Sequence, residues 1–493
     1  MSLISIRDLT FSYPGGWEEV FTGLNLELDT AWRLGLVGRN GRGKTTLLRL
    51  LSGALTPGGG SVSLPEPVSY FPFPLHWDDT PALEALERRF PDLEEWRLFR
   101  ELNLLETDPE LLYRPLATLS GGERVKLQLA ALFQQPERYL LIDEPTDHLD
   151  LAGRAAVSAY LAQKPGFLLV SHDRAFLDGC TDHILSLNKT GPELIRGTFS
   201  TWWAEKEDRD RREAAENQRL KGEIRRLKES ARRTGQWAEQ VEASKYGSRN
   251  SGLRPDRGFL GHKSAKMMAR SKAAERRQER ALAEKEGLLK DLEHTAPLLL
   301  RPLEHPKDRL LEVRDFCPDY GAGPVGSPIS FTLRQGERLA LTGPNGCGKS
   351  SLLKAVLGRE IPHTGALALA SGAVVSYVPQ DTGGLKGSFA RFAQESGVDL
   401  TRLLTLLRKL DVPRAQFEQD LAALSEGQKK KVLLARSLCQ SAHLYLWDEP
   451  LNYVDVFSRM QIEALLRETG ATLLLVEHDR AFLQAVGARV LTL

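Results

Sequence analysis

Short unbroken apolar runs alternate with helical stretches at both ends of the chain, and its middle does neither. The runs Arg33–Val37, Tyr139–Ile142 and Gly166–Val170 are apolar at consecutive rather than alternate positions. That pattern marks parallel strands covered on both faces. Counterparts recur at Arg338–Thr342, His443–Trp447 and Thr472–Val476. Two α/β units are predicted, over residues 1–198 and 307–493. Between them, residues 204–234 are charged, with apolar positions at Leu220, Ile224 and Leu227 in helical spacing. Residues 264–294 repeat this with Met267, Met268, Ala274, Leu282, Leu289 and Leu292. Two helices of about 30 residues would each reach roughly 45 Å. Their narrow seams suit an antiparallel hairpin, so 199–306 reads as a coiled-coil linker arm. A basic, Gly- and Ser-rich tip is expected near 236–263, and Pro297, Pro302 and Pro306 close the arm.

Each α/β unit carries the same motifs in the same register. Gly38 of G-R-N-G-R-G-K-T recurs 305 residues on as Gly343 of G-P-N-G-C-G-K-S. Ser120 of L-S-G-G-E recurs at that spacing as Ser425 of L-S-E-G-Q, and Asp143 of L-I-D-E-P as Asp448 of L-W-D-E-P. His172 of S-H-D and His478 of E-H-D are 306 apart. One such motif could arise by chance; four in register make the chain a repeat of one phosphate-handling domain. Each G-x-x-x-x-G-K-[ST] follows a predicted strand and opens a predicted helix, Thr46–Leu51 or Ser351–Leu357. Gly38, Gly41, Gly43 and Gly343, Gly346, Gly348 let the backbone form a nest of N–H groups around phosphate oxygens. Asn40, Thr46, Asn345 and Ser351 belong to the same loops. Lys44 and Lys349 are expected at the β- and γ-phosphates of ATP, with Thr45 and Ser350 on Mg²⁺. Asp143 and Asp448 would hold the metal's water shell; Glu144 and Glu449 would polarise the attacking water. His172 and His478 end late strands, where they would sense the γ-phosphate. A lone histidine there would more simply be core, but the surrounding motif favours the site.

Composition changes the picture at one place. Net charge is +1, yet residues 221–280 hold 17 Lys and Arg against 7 Asp and Glu. A basic segment between mildly acidic lobes is the asymmetry of a part that touches a polyanion, against the plainer reading of a solvated helical face. Arg249, Arg254, Arg257, His262, Lys263, Lys266, Arg270 and Lys272 supply cationic contacts to RNA phosphates. Trp237, Tyr246 and Phe259 offer faces for stacking on unpaired bases. Cys180, Cys317, Cys347 and Cys439 are scattered, which suggests neither disulfides nor zinc. The start lacks the layout of a signal peptide, and no apolar run approaches the roughly 18 residues that span a bilayer. A cytoplasmic protein without a membrane domain is expected.

L-S-G-G-E and L-S-E-G-Q, each with its serine 23 residues before the aspartate of D-E-P, resemble the signature of the ATP-binding cassette superfamily. The resemblance implies tandem P-loop ATPase domains in which each signature closes on the other domain's phosphate loop. Lys44 would then face Ser425, Gly427 and Gln428, and Lys349 would face Ser120, Gly121 and Gly122. Two ATP would be buried within one monomeric chain. Tyr13 and Tyr320 match the aromatic that stacks on adenine, although aromatics there could equally be core. Gln380 of Y-V-P-Q matches the family's metal-side glutamine, whereas Phe73 stands at the equivalent place in the first domain. Phe cannot ligate metal, so the Lys44 site is expected to hold Mg²⁺ less well.

Three classes compete for what this engine drives. A transporter ATPase would have to recruit membrane domains, and single-chain double ATPases of that class usually carry no such basic arm. A DNA-repair ATPase would show zinc cysteines or a far longer coiled coil. The layout is similar to the F type of the superfamily, associated with translation, whose charged linker enters the ribosome's tRNA exit site. Within it, G-F-L-G-H-K-S-A-K-M-M-A-R-S-K and D-E-P-L-N-Y-V-D-V-F-S-R-M-Q-I-E resemble antibiotic-resistance proteins of the Lsa type. That resemblance implies ribosome binding at rRNA and P-site tRNA, with the arm reaching toward the peptidyl-transferase centre. It further implies protection against lincosamide, pleuromutilin and streptogramin A drugs. A housekeeping factor that relieves stalled ribosomes has the same architecture and stays open.

Overall fold

The computed structural model describes residues 2–14, 19–135, 137–188, 191–244, 298–321 and 323–493. The chain divides into one compact unit, Met1–Trp202 with Thr295–Leu493, and a second, Trp203–His294. The first unit holds both α/β lobes.

In the first lobe, strands β3 (Arg33–Gly38), β5 (Val68–Phe71), β6 (Tyr139–Asp143), β7 (Phe167–Val170), β8 (His183–Asn188) and β9 (Gly191–Arg196) form a sheet ordered β5-β6-β7-β3-β8-β9. All pairs are parallel except β8 with β9. The second lobe repeats it with β12 (Arg338–Thr342), β14 (Val375–Val378), β15 (Leu444–Asp448), β16 (Leu473–Val476) and β17 (Arg489–Thr492), ordered β14-β15-β16-β12-β17 and parallel throughout. Leu34, Leu36, Leu168 and Val170 are buried with their neighbours, as are Leu339, Leu341, Leu474 and Val476. Continuous apolar runs fold this way because both faces of the sheet are covered. A three-stranded antiparallel sheet flanks each one: β1 (Leu3–Phe11) lies between β2 (Phe21–Asp29) and β4 (Gly59–Ser63), and β10 (Arg309–Pro318) between β11 (Ile329–Arg334) and β13 (His363–Leu369). Each phosphate loop leaves a strand that has a neighbour on both sides, β3 between β7 and β8 and β12 between β16 and β17, where the strand order reverses and ligands bind at carboxyl ends.

The helix Val456–Glu468 starts at Asp455, whose side chain accepts from Ser458 N. The Asp455 carboxylate also receives the Lys431 ammonium at 2.6 Å, and both side chains are essentially inaccessible. Burial would raise this carboxyl, but Lys431 outweighs it and the value falls below its ordinary 3.8. Its stabilisation is therefore full above pH 3.8 and is lost as pH drops through the depressed folded value. Lys431→Met leaves that buried charge without its cation. A stability loss of about 3–5 kcal/mol is expected, read as a lowered midpoint in chemical denaturation.

The second unit is described through the helix Phe199–Ser244, 46 residues long. It carries i,i+4 pairs such as Arg219 with Glu223 and Arg225 with Glu229. The helix runs ten residues past the end expected at 234. Gly235 alone does not stop it, because Gln-Trp-Ala-Glu-Gln-Val-Glu-Ala follows without a proline. Trp237, expected in the tip near 236–263, consequently has its backbone in a helix.

Candidate active sites

The first site grows from the β3 carboxyl end. Gly43, with φ 85°, caps the helix Lys44–Leu51 in a left-handed conformation, and a Cβ there would meet the Phe21 ring at 2.6 Å. Only glycine satisfies both demands. Lys44 Nζ donates to the carbonyls of Gly38 (2.8 Å) and Arg39 (3.2 Å). Burial holds this ammonium below its ordinary value, opposed by Asp455, Glu144 and Asp143. Tyr13 meets Thr46 hydroxyl to hydroxyl at 2.9 Å and remains 40% exposed, leaving its ring open to a base. Asp143 ends β6 and Glu144 follows with φ 48°, its N–H bonded to Val170 O. Glu144 Oε1 lies 3.2 Å from His172 Nε2, and Oε2 accepts from His172 N. Burial, then Asp147 and Asp143, push the Glu144 carboxyl up to about 8. Burial, then Lys44 and Arg459, press His172 well below its ordinary value, so its imidazole is neutral.

The second site repeats the frame with different bonds. Gly348 (φ 96°) caps the helix Lys349–Val356, and Lys349 Nζ donates to Gly343 O (2.8 Å) and Pro344 O (2.7 Å). Tyr320 and Ser351 meet hydroxyl to hydroxyl at 2.6 Å. Ser350 Oγ donates to Asp448 Oδ1 at 3.1 Å, while Asp448 Oδ2 is buried without a hydrogen-bond partner among the described residues. Burial lifts the Asp448 carboxyl to about 6. Glu449 Oε2 accepts from Asn452 Nδ2 at 2.6 Å. Both ring nitrogens of His478 are buried and unpartnered there too, and burial with Arg154 and Lys349 drives it down to about 4.

The two lobes complete each other's sites. Asn40 Nδ2 donates to Tyr453 O at 3.0 Å, and Asn345 Nδ2 donates to His148 O at 3.0 Å. Tyr453 and His148 both have positive φ, which turns these carbonyls outward. Gly427 packs against Asn40, and Gly121 against the His148 side chain. A cleft of about 310 Å³ is lined by Gly121, His148 and Arg154 from the first lobe and by Tyr320, Asn345, Gly346, Gly348, Lys349, Ser350, Gln380, Glu449 and His478 from the second. Ser120 and Ser425 cap their signature helices in capping boxes, so Gln428 bonds back to Ser425 N. Nothing lies nearer than 3.6 Å to a Cβ placed on Gly122.

Sequence reasoning missed Arg154 and Arg459, which bind Asp173 (2.9 Å) and Asp479 (3.1 Å) in their own lobes. Arg154 also acts on His478, and Arg459 on Glu144 and His172, each in the opposite site. The 305-residue spacing of the two arginines was the available signal. Arg39, in the first phosphate loop, lies over the Phe457 ring at 5.4 Å, and Phe457 meets Trp202 edge-on at 6.2 Å. Trp202, within the first unit, thus lies near the first phosphate loop. Of the arm residues, Trp237 has its backbone in that helix. Tyr246, Arg249, Arg254, Arg257, Phe259, His262, Lys263, Lys266, Arg270 and Lys272 lie outside the described residues.

The family profile described as ABC transporter matches residues 21–147 and 327–452, about half of the chain. The ribosome protection protein VmlR of Bacillus subtilis is 27% identical over 96% of this chain and 84% of its own length. The energy-dependent translational throttle protein EttA of Escherichia coli is 25% identical over 96% of this chain and 89% of its own. An archaeal ribosome recycling factor, solved with a ribosomal stalk protein, shares the fold at TM-score 0.62 and 20% identity, covering 98% of this chain and 87% of that one. The chain belongs to the F branch of the ATP-binding cassette family. It is an ATPase with two nucleotide-binding lobes.

Site 2 of this F-branch ATPase fits a metal-bound nucleotide well. Asp448 Oδ2 and the His478 nitrogens are buried polar atoms that lack partners among the described residues, and Gln380 lines the same cleft. Site 1 fits less well. Phe73 is buried edge-on against Phe90 at 5.2 Å and offers no ligand atom. Among the described residues, no helix is long and apolar enough to cross a membrane.

Proposed function

We propose that this ATPase is a cytoplasmic, monomeric factor that binds the ribosome in its closed, ATP-bound state. Its arm reaches rRNA and P-site tRNA and extends toward the peptidyl-transferase centre. There it protects translation from lincosamide, pleuromutilin and streptogramin A drugs, and hydrolysis releases it. The observation that carries this reading is similarity over nearly the whole chain to a ribosome protection protein. The net charge of +10 over residues 221–280 supports a phosphate-rich target.

In this reading Lys44 and Lys349 hold the β- and γ-phosphates of ATP, and Tyr13 and Tyr320 stack on the bases. Thr45 with Asp143, and Ser350 with Asp448 and Gln380, would hold Mg²⁺, which supplies charge neutralisation at the phosphates. Glu144 and Glu449 accept the proton of the attacking water. His172 and His478, neutral by burial, orient toward the γ-phosphate. Each nucleotide would contact both lobes, so it binds the closed arrangement preferentially and shifts the population toward it.

The test is a chain in which 236–263 is replaced by a short Gly-Ser turn. Cell-free translation in a pleuromutilin should lose its protection while ATPase activity persists. Loss of both together means the arm is structural. A second reading follows from similarity to the translational throttle protein. A wild-type chain that alters translation without drug and gives no protection supports that housekeeping role.

A further inference from the structure

Strand β5 places Tyr70 opposite Leu141 of β6, and β14 places Tyr377 opposite Leu446 of β15, so the two tyrosines occupy one register position in the two lobes. Their hydroxyls behave differently. Tyr70 donates to Asp143 Oδ2 at 2.7 Å. Arg49, from the phosphate-loop helix, is the hydroxyl's second polar neighbour. No such bond joins Tyr377 to Asp448, whose Oδ1 is held by Ser350 instead. Conversely, Thr45 makes no bond to Asp143 like that of Ser350 to Asp448. The two metal-side carboxylates are therefore oriented by different elements: a phosphate-loop hydroxyl in site 2, and a sheet-edge phenol in site 1.

Site 1 is also where Phe73 replaces a glutamine. With neither that amide nor the Thr45 bond, the side-chain hydrogen bond that holds Asp143 is the one from Tyr70. A phenol donating to a carboxylate is charge-assisted and fixes one oxygen while the other keeps its lone pairs. Outer partners of this kind orient metal ligands, and their loss costs 10- to 100-fold in metal affinity.

We infer that Tyr70 is a positioning residue that orients Asp143 toward the metal in site 1, a role that Tyr377 does not share in site 2. This rests on Asp143 and Asp448 being the metal-side carboxylates.

The experiment is Mn²⁺ binding in the presence of ATP, followed by electron paramagnetic resonance on the full-length chain. In an Asp448→Asn background only site 1 takes Mn²⁺, and Tyr70→Phe should weaken it about tenfold. In the mirror background, Asp143→Asn, Tyr377→Phe should leave site 2 unchanged. Binding of a fluorescent ATP analogue in EDTA should be the same in Tyr70→Phe and Tyr377→Phe as in their respective parents. Tyr70→Phe that binds Mn²⁺ as well as its parent overturns the assignment, as does equal weakening by Tyr377→Phe. Joint loss of metal-free and metal-loaded binding also overturns it, because Tyr70 would then be structural. If Asp143→Asn with Asp448→Asn retains both Mn²⁺ sites, the carboxylate roles fail rather than the role of Tyr70.

Discussion

Glu144→Gln combined with Glu449→Gln should cut ATP turnover by at least about 10²-fold and hold the two lobes closed. The substitution keeps shape and hydrogen-bonding reach while removing the proposed proton acceptor that follows Asp143 and Asp448. Neither change touches the contacts that join the lobes, Asn40 to Tyr453 O and Asn345 to His148 O. Closure therefore outlives the chemistry that would end it. The variant should pellet with bacterial ribosomes when ATP is present and much less without it. Pelleting should weaken as salt rises, because contacts to phosphate release counterions. Single variants should differ, since Glu144 faces Asp147 and Asp143 whereas Glu449 is held by Asn452. Wild-type turnover by the double variant would remove these glutamates from the role of base. Absence of pelleting under every condition would remove the ribosome as target.

The placing of the phosphate-loop and D-E-P segments was readable because they are short segments attached to buried strands. Apolar runs located β3, β6, β12 and β15 to within a residue at each end, since a strand covered on both faces must be apolar throughout. The joining of the lobes was not readable in the same way. Asn40 finds the Tyr453 carbonyl 413 residues away, and a backbone oxygen leaves no mark in side-chain identity. Tyr70 escaped notice for a related reason. It is a common strand residue, and only the sheet register shows that its hydroxyl reaches Asp143. The long helix was underestimated because the Gly- and Ser-rich stretch was expected to begin near 236, whereas one glycine, Gly235, costs a helix only about 1 kcal/mol and the helix continues to Ser244.

Gly427→Ala should abolish closure at site 1, while the matching change Gly122→Ala should disturb the packing between the lobes less. The two glycines are equivalent in sequence, 305 residues apart, but not in surroundings. A Cβ on Gly427 would sit 2.4 Å from Tyr453 O and 2.8 Å from Asn40 Nδ2. It would strike both members of the bond that carries the first phosphate loop across to the second lobe. Neither can yield cheaply: the carbonyl is backbone, and the amide is already engaged. On Gly122 the nearest atoms are His148 O and Leu149 Cδ2 at 3.6 Å, an ordinary contact. A displacement near 1 Å at a site that needs groups from both lobes costs about 10² in rate. Gly427→Ala should thus lose that much ATPase activity. A fluorescent ATP analogue should still bind, because Lys44 and its bonds to Gly38 O and Arg39 O lie within the first lobe alone. If the two alanine variants prove equally active, the Asn40 contact is not what joins the lobes at site 1.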